Sequence, residues 1–185
     1  MGMKGQEVVA GELSPEISPT WTLEDNAIEW GFLKDVRYCS VGVYQASGAP
    51  ISNCRLRNIS GSGVLVVIDE IWVTPEGNTG IVLVLGPTID QTVLANVHTA
   101  GAVDSRWGFQ EPSLQISSGN TAATGSYTLM REYATGRART EYNKQIVMVP
   151  DTHLDIGTTS AEFCLFNILW HERAVTPLES DKPLR

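Results

Sequence analysis

The residues with the clearest capacity for chemistry are three histidines, His98, His153 and His171. Enzymes that use a metal hold it with closely spaced ligands, as in His-x-His or His-Glu-x-x-His, and none of the three belongs to such a motif. A cupin-type enzyme would need His-x-His with a nearby glutamate on adjacent strands, but the region around His98 offers only Asn96 and Asp104. His171 fits the end of an edge strand. The spacing predicts no metal site and no cofactor.

Serine catalysis requires a nucleophile in a strained turn, a histidine base and an orienting carboxylate. Residues 60–63, Ser-Gly-Ser-Gly, form the one glycine-flanked serine cluster, and they lack the Gly-x-Ser-x-Gly elbow. No Gly-Lys-Ser/Thr follows, so the cluster does not resemble a phosphate loop. Glycines that supply positive φ between two apolar segments are typical of a hairpin turn. We therefore expect a hairpin at this position.

Paired carboxylates could perform glycosidase chemistry, and adjacent pairs occur at residues 24–25 and 69–70. Neighbouring residues of a strand point to opposite faces, so neither pair could flank one bond. The cysteines are odd in number, lie far apart among apolar neighbours and form no Cys-x-x-Cys pair; they are Cys39, Cys54 and Cys164. We expect buried free thiols, consistent with folding in a reducing cytosol. No catalytic residue is predicted, and the chain is not expected to be an enzyme.

Two features could bind a partner. Trp72 and Trp170 lie inside apolar segments and are predicted to be core, whereas Trp107 lies in the polar loop 104–108 and could stack on a sugar ring. Segment 131–144 is locally basic in an acidic chain. It could dock on an acidic surface, or it could be a solvated loop.

Composition limits the classes of partner. The 185 residues carry a formal net charge of −8, which argues against general nucleic-acid binding because phosphate contacts require a positive patch. The longest apolar run, 63–68, is far shorter than the roughly 20 residues of a membrane-spanning helix. The N-terminus has no apolar signal segment. Only 18% of residues are charged, which favours an oligomer or a docked protein.

The chain divides into an extended N-terminal arm (1–20), a body (21–175) and a polar tail (176–185). Short segments rich in Val, Ile, Thr, Tyr and Trp alternate with turn residues through the body, and no helical periodicity lasts three turns. This pattern predicts an all-β sandwich or barrel. The predicted strands are 36–45, 53–59, 63–73, 80–85, 91–98, 126–133, 144–149 and 161–171, with 27–33 and 114–116 as additional candidates.

Segment 63–73 is apolar on both faces in its first half. Strict alternation places Val64, Val66, Ile68, Glu70 and Trp72 on one side and Leu65, Val67, Asp69, Ile71 and Val73 on the other. A strand with one solvated face should alternate between apolar and polar residues. The second face is therefore expected to be covered, either by a crossing loop or the chain's own arm, or by another subunit.

Two passages resemble a known family. Residues 55–64, Arg-Leu-Arg-Asn-Ile-Ser-Gly-Ser-Gly-Val, and residues 147–154, Val-Met-Val-Pro-Asp-Thr-His-Leu, which lead to Trp-His-Glu-Arg at 170–173, resemble the β-sandwich virion structural proteins of tailed bacteriophages. The chain departs from that family at Ile59, where proline is common, and at Asp151, where glycine is common. The resemblance covers about residues 53–175, and its motifs are turn and core positions.

The resemblance implies an antiparallel, jelly-roll-like sandwich that decorates or cements a phage capsid. Such a protein would be made in the bacterial host cytoplasm and reside on the virion surface. Its partners would be the major capsid protein and its own copies, as a homotrimer, with the arm lying across neighbouring subunits. The alternative is a carbohydrate- or receptor-binding module of a phage tail that uses Trp107. A β-sandwich enzyme would require His98, His153 and a carboxylate to converge.

Overall fold

The computed structural model describes residues 36–45, 51–87, 92–103, 111–142 and 144–176, and every regular element among them is a β-strand. The strands are β1 Arg37–Gln45, β2 Asn53–Asn58, β3 Val64–Pro75, β4 Thr79–Pro87, β5 Asn96–His98, β6 Gly101–Ala102, β7 Gln115–Gly119, β8 Tyr127–Ala134, β9 Thr140–Tyr142, β10 Ile146–Met148, β11 Thr152–Thr158 and β12 Cys164–Ala174. The described residues contain no helix that is long and apolar enough to cross a membrane.

The strands form two antiparallel sheets. Sheet A has the order β10-β3-β12-β1-β6, with β9 also paired to β3, and sheet B has the order β5-β7-β2-β11-β4-β8. The chain changes sheet at each step from β1 to β4, and again from β8 through β10 and β11 to β12. Two interleaved four-stranded sets, β10-β3-β12-β1 and β2-β11-β4-β8, are the arrangement of a jelly roll. The predicted antiparallel, jelly-roll-like sandwich is confirmed.

The core lies between the two sheets and is built by alternate residues of the central strands. On β12 the inward positions include Phe166, Ile168 and Trp170, each at most 2% exposed. Leu154 and Ile156 of β11 face them from the other sheet and are fully buried. Each such side chain contributes about 1.5–3 kcal/mol by leaving water, which makes this apolar alternation the main determinant of the sandwich.

Most predicted strands match observed ones, since β1, β2, β3, β4, β8, β10 and β12 overlap their predicted ranges. Candidate 114–116 overlaps β7, the predicted strand 91–98 reduces to β5 within the described residues, and 27–33 lies outside them. Three strands were missed, namely β6, β9 and β11. β11 is the important omission because it is the central strand between β2 and β4.

A β-bulge in β3 changes which residues face the core. Leu169 of β12 pairs with Glu70, but the next residue, Trp170, pairs with Ile68, so Asp69 is the additional residue. The inward set is therefore Val66 and Ile68 before the bulge, and Ile71, Val73 and Pro75 after it. The prediction of strict alternation along 63–73 is wrong for this reason.

The turn at residues 60–63 connects two sheets and does not form a hairpin. β2 pairs with β7 and β11, whereas β3 pairs with β12, β10 and β9. Gly61 and Gly63 take φ of 77° and 69°, and Ser62 N donates to Ile59 O at 3.2 Å. The glycines do supply positive φ, as predicted, but they let the chain cross from sheet B to sheet A.

A second tight turn precedes β11. Asp151 takes φ of 70°, a left-handed conformation that glycine adopts most readily and that aspartate tolerates. Its amide donates to Asn58 O at 2.8 Å, and Thr152 Oγ1 donates to Val149 O at 2.6 Å. This turn directs the chain into β11 beside β2.

All twelve strands belong to one compact unit, and they lie inside the predicted body 21–175. The predicted arm 1–20 and all of the tail except Thr176 lie outside the described residues. The boundaries of the three predicted regions therefore stay predictions.

Candidate interaction surfaces

The three histidines lie apart in the structure, and each makes hydrogen bonds within the protein. His153 of β11 has one ring nitrogen 2.7 Å from Pro87 O and the other 2.7 Å from Thr124 O. His98 of β5 has Nε2 2.7 Å from Ser118 Oγ, and burial lowers its pKa. Both nitrogens of His153 are engaged, so neither is free to bind a metal or to serve as a base.

His171 lies on β12, which is a central strand of sheet A, so its prediction as an edge residue is wrong. The bulge brings Asp69 to it, and His171 Nδ1 lies 2.8 Å from Asp69 Oδ2. The Tyr38 ring is 5.4 Å from the imidazole, and burial together with the Asp69 charge raises the Tyr38 pKa. This cluster joins residues from three strands on the outer face of sheet A.

The described residues contain no group of three or more His, Cys, Asp or Glu side chains that could hold a metal ion. All three cysteines are buried and free, as predicted. Burial raises the pKa of Cys39 and Cys164 to about 12, and it also raises that of Cys54. Thiols held in this form are poor nucleophiles, so these cysteines act as core residues.

The serine cluster and the adjacent carboxylates serve the fold. Ser62 Oγ donates to Asn58 Oδ1 at 2.6 Å, and the Asn58 amide donates to Met148 O at 2.9 Å, which joins the turn to β10. Asp69 bonds His171, as described above, whereas Glu70 lies on the outer face of sheet A. The pair at residues 24–25 lies outside the described residues.

Trp170 is fully buried, as predicted, and its Nε1 donates to Glu172 Oε1 at 3.3 Å. The prediction for Trp72 is wrong, because the bulge turns it to the outer face of sheet A, where it is half-buried beneath Arg139. Trp107, the proposed sugar-binding residue, lies outside the described residues.

The basic segment 131–144 is partly neutralised within the protein. Arg137 pairs with Glu76 at 3.1 Å, and Arg139 pairs with Glu141 at 2.6 Å while it covers the Trp72 ring. These pairs are exposed, so they contribute little to stability. They do reduce the net positive charge that the segment presents to an acidic partner.

A buried ion pair on the outer face of sheet B is the most prominent polar feature that the sequence did not indicate. Arg55 of β2 donates to both carboxylate oxygens of Asp155 on β11, from Nε at 2.7 Å and from Nη2 at 2.8 Å. The two side chains are 5% and 0% exposed. Asn53 Nδ2 also donates to Asp155 at 3.1 Å, and Thr124 N at 2.9 Å. The bidentate geometry and these additional donors offset the free-energy cost of removing the two charged groups from water.

The cover over this ion pair is residues 122–126, which we call the strap. Arg55 Nη2 donates to Thr124 Oγ1 at 3.0 Å, and Asn53 Nδ2 lies 3.4 Å from Ala122 O. Glycines permit the close approach, since a methyl group at Gly157 would lie 2.8 Å from the Ala123 Cβ. The strap therefore buries the outer face of β11. The strap lies on sheet B, so it is not the cover that was predicted for segment 63–73 of sheet A.

The strap does not extend over β8. Between them a groove of about 640 Å³ is lined by Val82 and Val84 of β4, by strap residues, and by Thr128 and Arg131 of β8. Seven consecutive residues of β8, 127–133, are exposed or half-exposed, and Ala134 alone is buried. Tyr127 is 67% exposed, Leu129 36% and Tyr133 66%.

The outer face of sheet A has a different character. Leu65 and Val67 are buried there, whereas Tyr44, Leu165 and Val147 are exposed. Tyr44 stacks against Phe163 with ring centroids 5.9 Å apart, beside a cleft of about 260 Å³ that the Glu76–Arg137 pair also lines. Apolar side chains that face solvent in clusters are typical of surfaces that bind other molecules.

Comparison with known proteins assigns no family to the chain: no family model matches it, and no curated protein or solved structure matches it at a significant level.

Proposed function

We propose that this chain is a structural protein of a tailed-phage virion that decorates or cements the capsid by binding the major capsid protein and its own copies. The observation that carries the proposal is a jelly-roll sandwich whose apolar residues are exposed along one edge strand and one sheet face. Jelly rolls recur in capsid proteins and also in lectins and cupins, so the surface must support the function as well as the fold.

The polar side chains with chemical potential support a binding role because they hold the fold together. His153 ties β11 to the strap and to the end of β4, and Asp155 anchors the strap through Arg55. Glu172 accepts bonds from the amides of Ser113 and Leu114, both at 3.0 Å. Groups committed in this way stiffen a scaffold, and a rigid scaffold loses little conformational freedom when it docks.

The exposed side chains support association with another protein surface. Aromatic residues are enriched at protein interfaces, and Tyr44, Tyr127 and Tyr133 are each more than 60% exposed. The charge of −8 directs such an interface toward protein rather than nucleic acid.

Quantitative mass spectrometry of purified virions tests the proposal most directly. Hundreds of copies per particle are expected for a decoration protein, whereas a handful would indicate a tail or neck position. Absence from the particle would contradict the proposal.

Co-sedimentation with capsids tests the role of the predicted arm. Deleting residues 1–20 should weaken attachment to capsids and leave the far-ultraviolet circular dichroism and thermal unfolding of the body unchanged. Deletion of residues 177–185, at the other end, serves as the control for chain shortening. Equal attachment of the full chain and the arm deletion would remove the arm from the proposal.

The second candidate, a carbohydrate- or receptor-binding module of a phage tail, is favoured by one specific observation. The exposed Tyr44 ring stands beside a cleft that Glu76 and Arg137 also line, and an aromatic face with a few polar groups is a common ligand-site composition. A glycan array tests it with Trp107→Ala and Tyr44→Ala, and Tyr127→Ala is the matched control. Glycan binding that either of the first two removes, and the control retains, would favour this function over the capsid role.

A further inference from the structure

His153 is enclosed on the outer face of sheet B, where both of its ring nitrogens meet carbonyl oxygens. The residue is 1% exposed. Nδ1 lies 2.7 Å from Pro87 O at the end of β4, and Nε2 lies 2.7 Å from Thr124 O in the strap. A carbonyl oxygen only accepts hydrogen bonds. Each ring nitrogen must therefore donate a proton for both contacts to be attractive.

A neutral imidazole cannot make both bonds. It carries one N–H donor, and its other nitrogen is an acceptor with a lone pair. In either neutral tautomer of His153, a lone pair would face a carbonyl oxygen at 2.7 Å, and two acceptors at that distance repel each other. The charged ring has two donors, and hydrogen bonds from a charged donor are stronger than those from a neutral one. The geometry therefore favours the charged form.

The packing around the ring leaves little room to relieve such repulsion. A methyl group at Gly86 would lie 2.8 Å from His153 Cε1 and 3.0 Å from Gly125 Cα, so the imidazole lies close to both β4 and the strap. The Pro87 carbonyl is held by β4, which pairs with β11 along its length. The strap belongs to the connection between β7 and β8, and it is the part that can move away. Loss of a ring proton should therefore loosen the strap.

The charged groups nearest to the ring lie on β2 and along the chain on either side of His153. Arg57 is directly opposite His153 in register, and Asp151 and Asp155 lie two positions before and after it. Arg57 opposes a second positive charge and the aspartates favour it, although Asp155 is already bonded by Arg55. The strap and the adjoining end of β4 carry no ionisable side chain. Because these charges act in opposite directions, the two carbonyl oxygens decide where the protons are held.

We propose that His153 is a proton-dependent latch, which holds the strap when its ring is charged and loosens the strap when its ring is neutral. This inference goes beyond the proposed function and does not depend on it. Histidine loses its charge between about pH 5 and 8, so the strap is held most firmly at the acidic end of that range. The strap forms one wall of the groove beside β8. The proton on His153 therefore controls how firmly that wall is held.

Hydrogen exchange of the strap amides measures the latch. Thr124 N donates to Asp155 at 2.9 Å, and Ser126 N donates to Leu85 O at 3.0 Å, so both amides are protected while the strap is in place. Their protection, corrected for the intrinsic exchange rate, should fall about tenfold or more between about pH 6 and 8, because a bond from a charged donor is lost. The Glu76 amide, which donates to a carbonyl of sheet A at 2.8 Å, is the internal control and should keep its protection.

A matched pair of variants separates His153 from another histidine that bonds within the protein. His153→Gln removes the titrating ring, so the protection of the strap amides should be the same at both pH values. His171→Gln makes the same change on sheet A, where His171 bonds Asp69, and should keep the pH dependence of the wild-type chain. Equal pH dependence in His153→Gln and in the wild-type chain would overturn the latch.

Nuclear magnetic resonance of the wild-type chain tests the charged ring directly and decides the matter if His153→Gln does not fold. At about pH 6 both ring N–H protons of His153 should be visible and slow to exchange with water, and one of them should be lost by about pH 8. A single ring N–H proton at the lower pH, or strap protection that does not change with pH, would contradict the latch. These measurements involve no virion, so their outcome bears on the latch alone.

Discussion

The two strands that flank β4 have opposite compositions and opposite environments. β11 reads Thr-His-Leu-Asp-Ile-Gly-Thr, yet every residue after Thr152 is buried. β8 reads Tyr-Thr-Leu-Met-Arg-Glu-Tyr-Ala and is richer in large apolar residues, yet only Ala134 is buried. Both bond to the same neighbour. From composition alone, β8 would be predicted to be buried and β11 to be exposed.

The difference shows that burial depends on what lies beside and above a strand. β11 has a strand on each side and the strap above it, so its polar residues must find partners within the protein. Asp155 finds Arg55, Asn53 and Thr124. β8 has a strand on one side and is not covered by the strap. Polar residues in β11 therefore hold the fold, and apolar residues in β8 are available for binding.

The largest effect is expected from breaking the ion pair beneath the strap. Asp155→Ala leaves the Arg55 guanidinium buried without its counter-charge, which should lower the free energy of unfolding by about 3–5 kcal/mol. Urea unfolding followed by tryptophan fluorescence measures this loss. The double variant Arg55→Met, Asp155→Leu removes both charges and should recover most of the stability. A loss below about 1 kcal/mol for Asp155→Ala would show that the pair is not sealed from water.

A smaller effect is expected from the hydroxyl that joins the strap to the ion pair. Thr124→Val keeps the shape of the side chain but removes the acceptor of the Arg55 Nη2 bond, and bonds to charged groups contribute about 1.5–3 kcal/mol. Thr128→Val makes the same change on exposed β8 and should alter stability by less than about 0.5 kcal/mol. Equal losses in the two variants would mean that the strap does not distinguish β11 from β8.

The close approach of the strap can be tested with a single methyl group. Gly157→Ala would place its Cβ 2.8 Å from the Ala123 Cβ and must push the strap outward, which should cost about 1–3 kcal/mol. Gly101→Ala, where nothing lies within 4 Å of the new atom, is the control. Hydrogen exchange at residues 122–126 should become faster in Gly157→Ala and stay unchanged in the control.

The smallest effect is expected on β8 itself. Tyr127→Ser removes a large ring that is 67% exposed. The free energy of unfolding, measured at low protein concentration, should change by about 0.5 kcal/mol or less. A loss of several kcal/mol would mean that a part of the chain not described here covers β8, and the comparison between the two strands would then fail.

Short segments rich in Val, Ile, Thr, Tyr and Trp between turn residues were sufficient to predict most of the strands that bound the core. Burial alternates along β1 and β12, with Val41 and Val43 inward on one and Phe166, Ile168 and Trp170 inward on the other, although Tyr44 and Leu165 are apolar and face outward. β11 was missed because Asp155 and Gly157 are unfavourable in a strand judged by itself. These two residues stabilise the fold only through tertiary contacts, because Arg55 pairs with Asp155 and the strap packs on Gly157. Local propensity contains neither contact.

The bulge at Asp69 was missed for a related reason. It depends on how β3 aligns with β12, so the period of β3 alone cannot show it. The additional residue turns Trp72 outward and places Asp69 beside His171. The sequence alone did not indicate that Asp69 and His171 are in contact. The glycines at 61 and 63 were recognised correctly as turn residues, but which strands they join depends on pairings far along the chain.

The sequence by itself determined an all-β chain with buried thiols and a sandwich core, because side-chain periodicity and turn residues act over a few positions. Tertiary structure decided which faces and edges remain open. Whether Asp155 is sealed and Tyr133 is exposed depends on the strap and on the order of strands, which are set by contacts between residues as far apart as Arg55 and Asp155. These long-range contacts separate β11, whose polar residues hold the fold, from β8, whose apolar residues stay exposed.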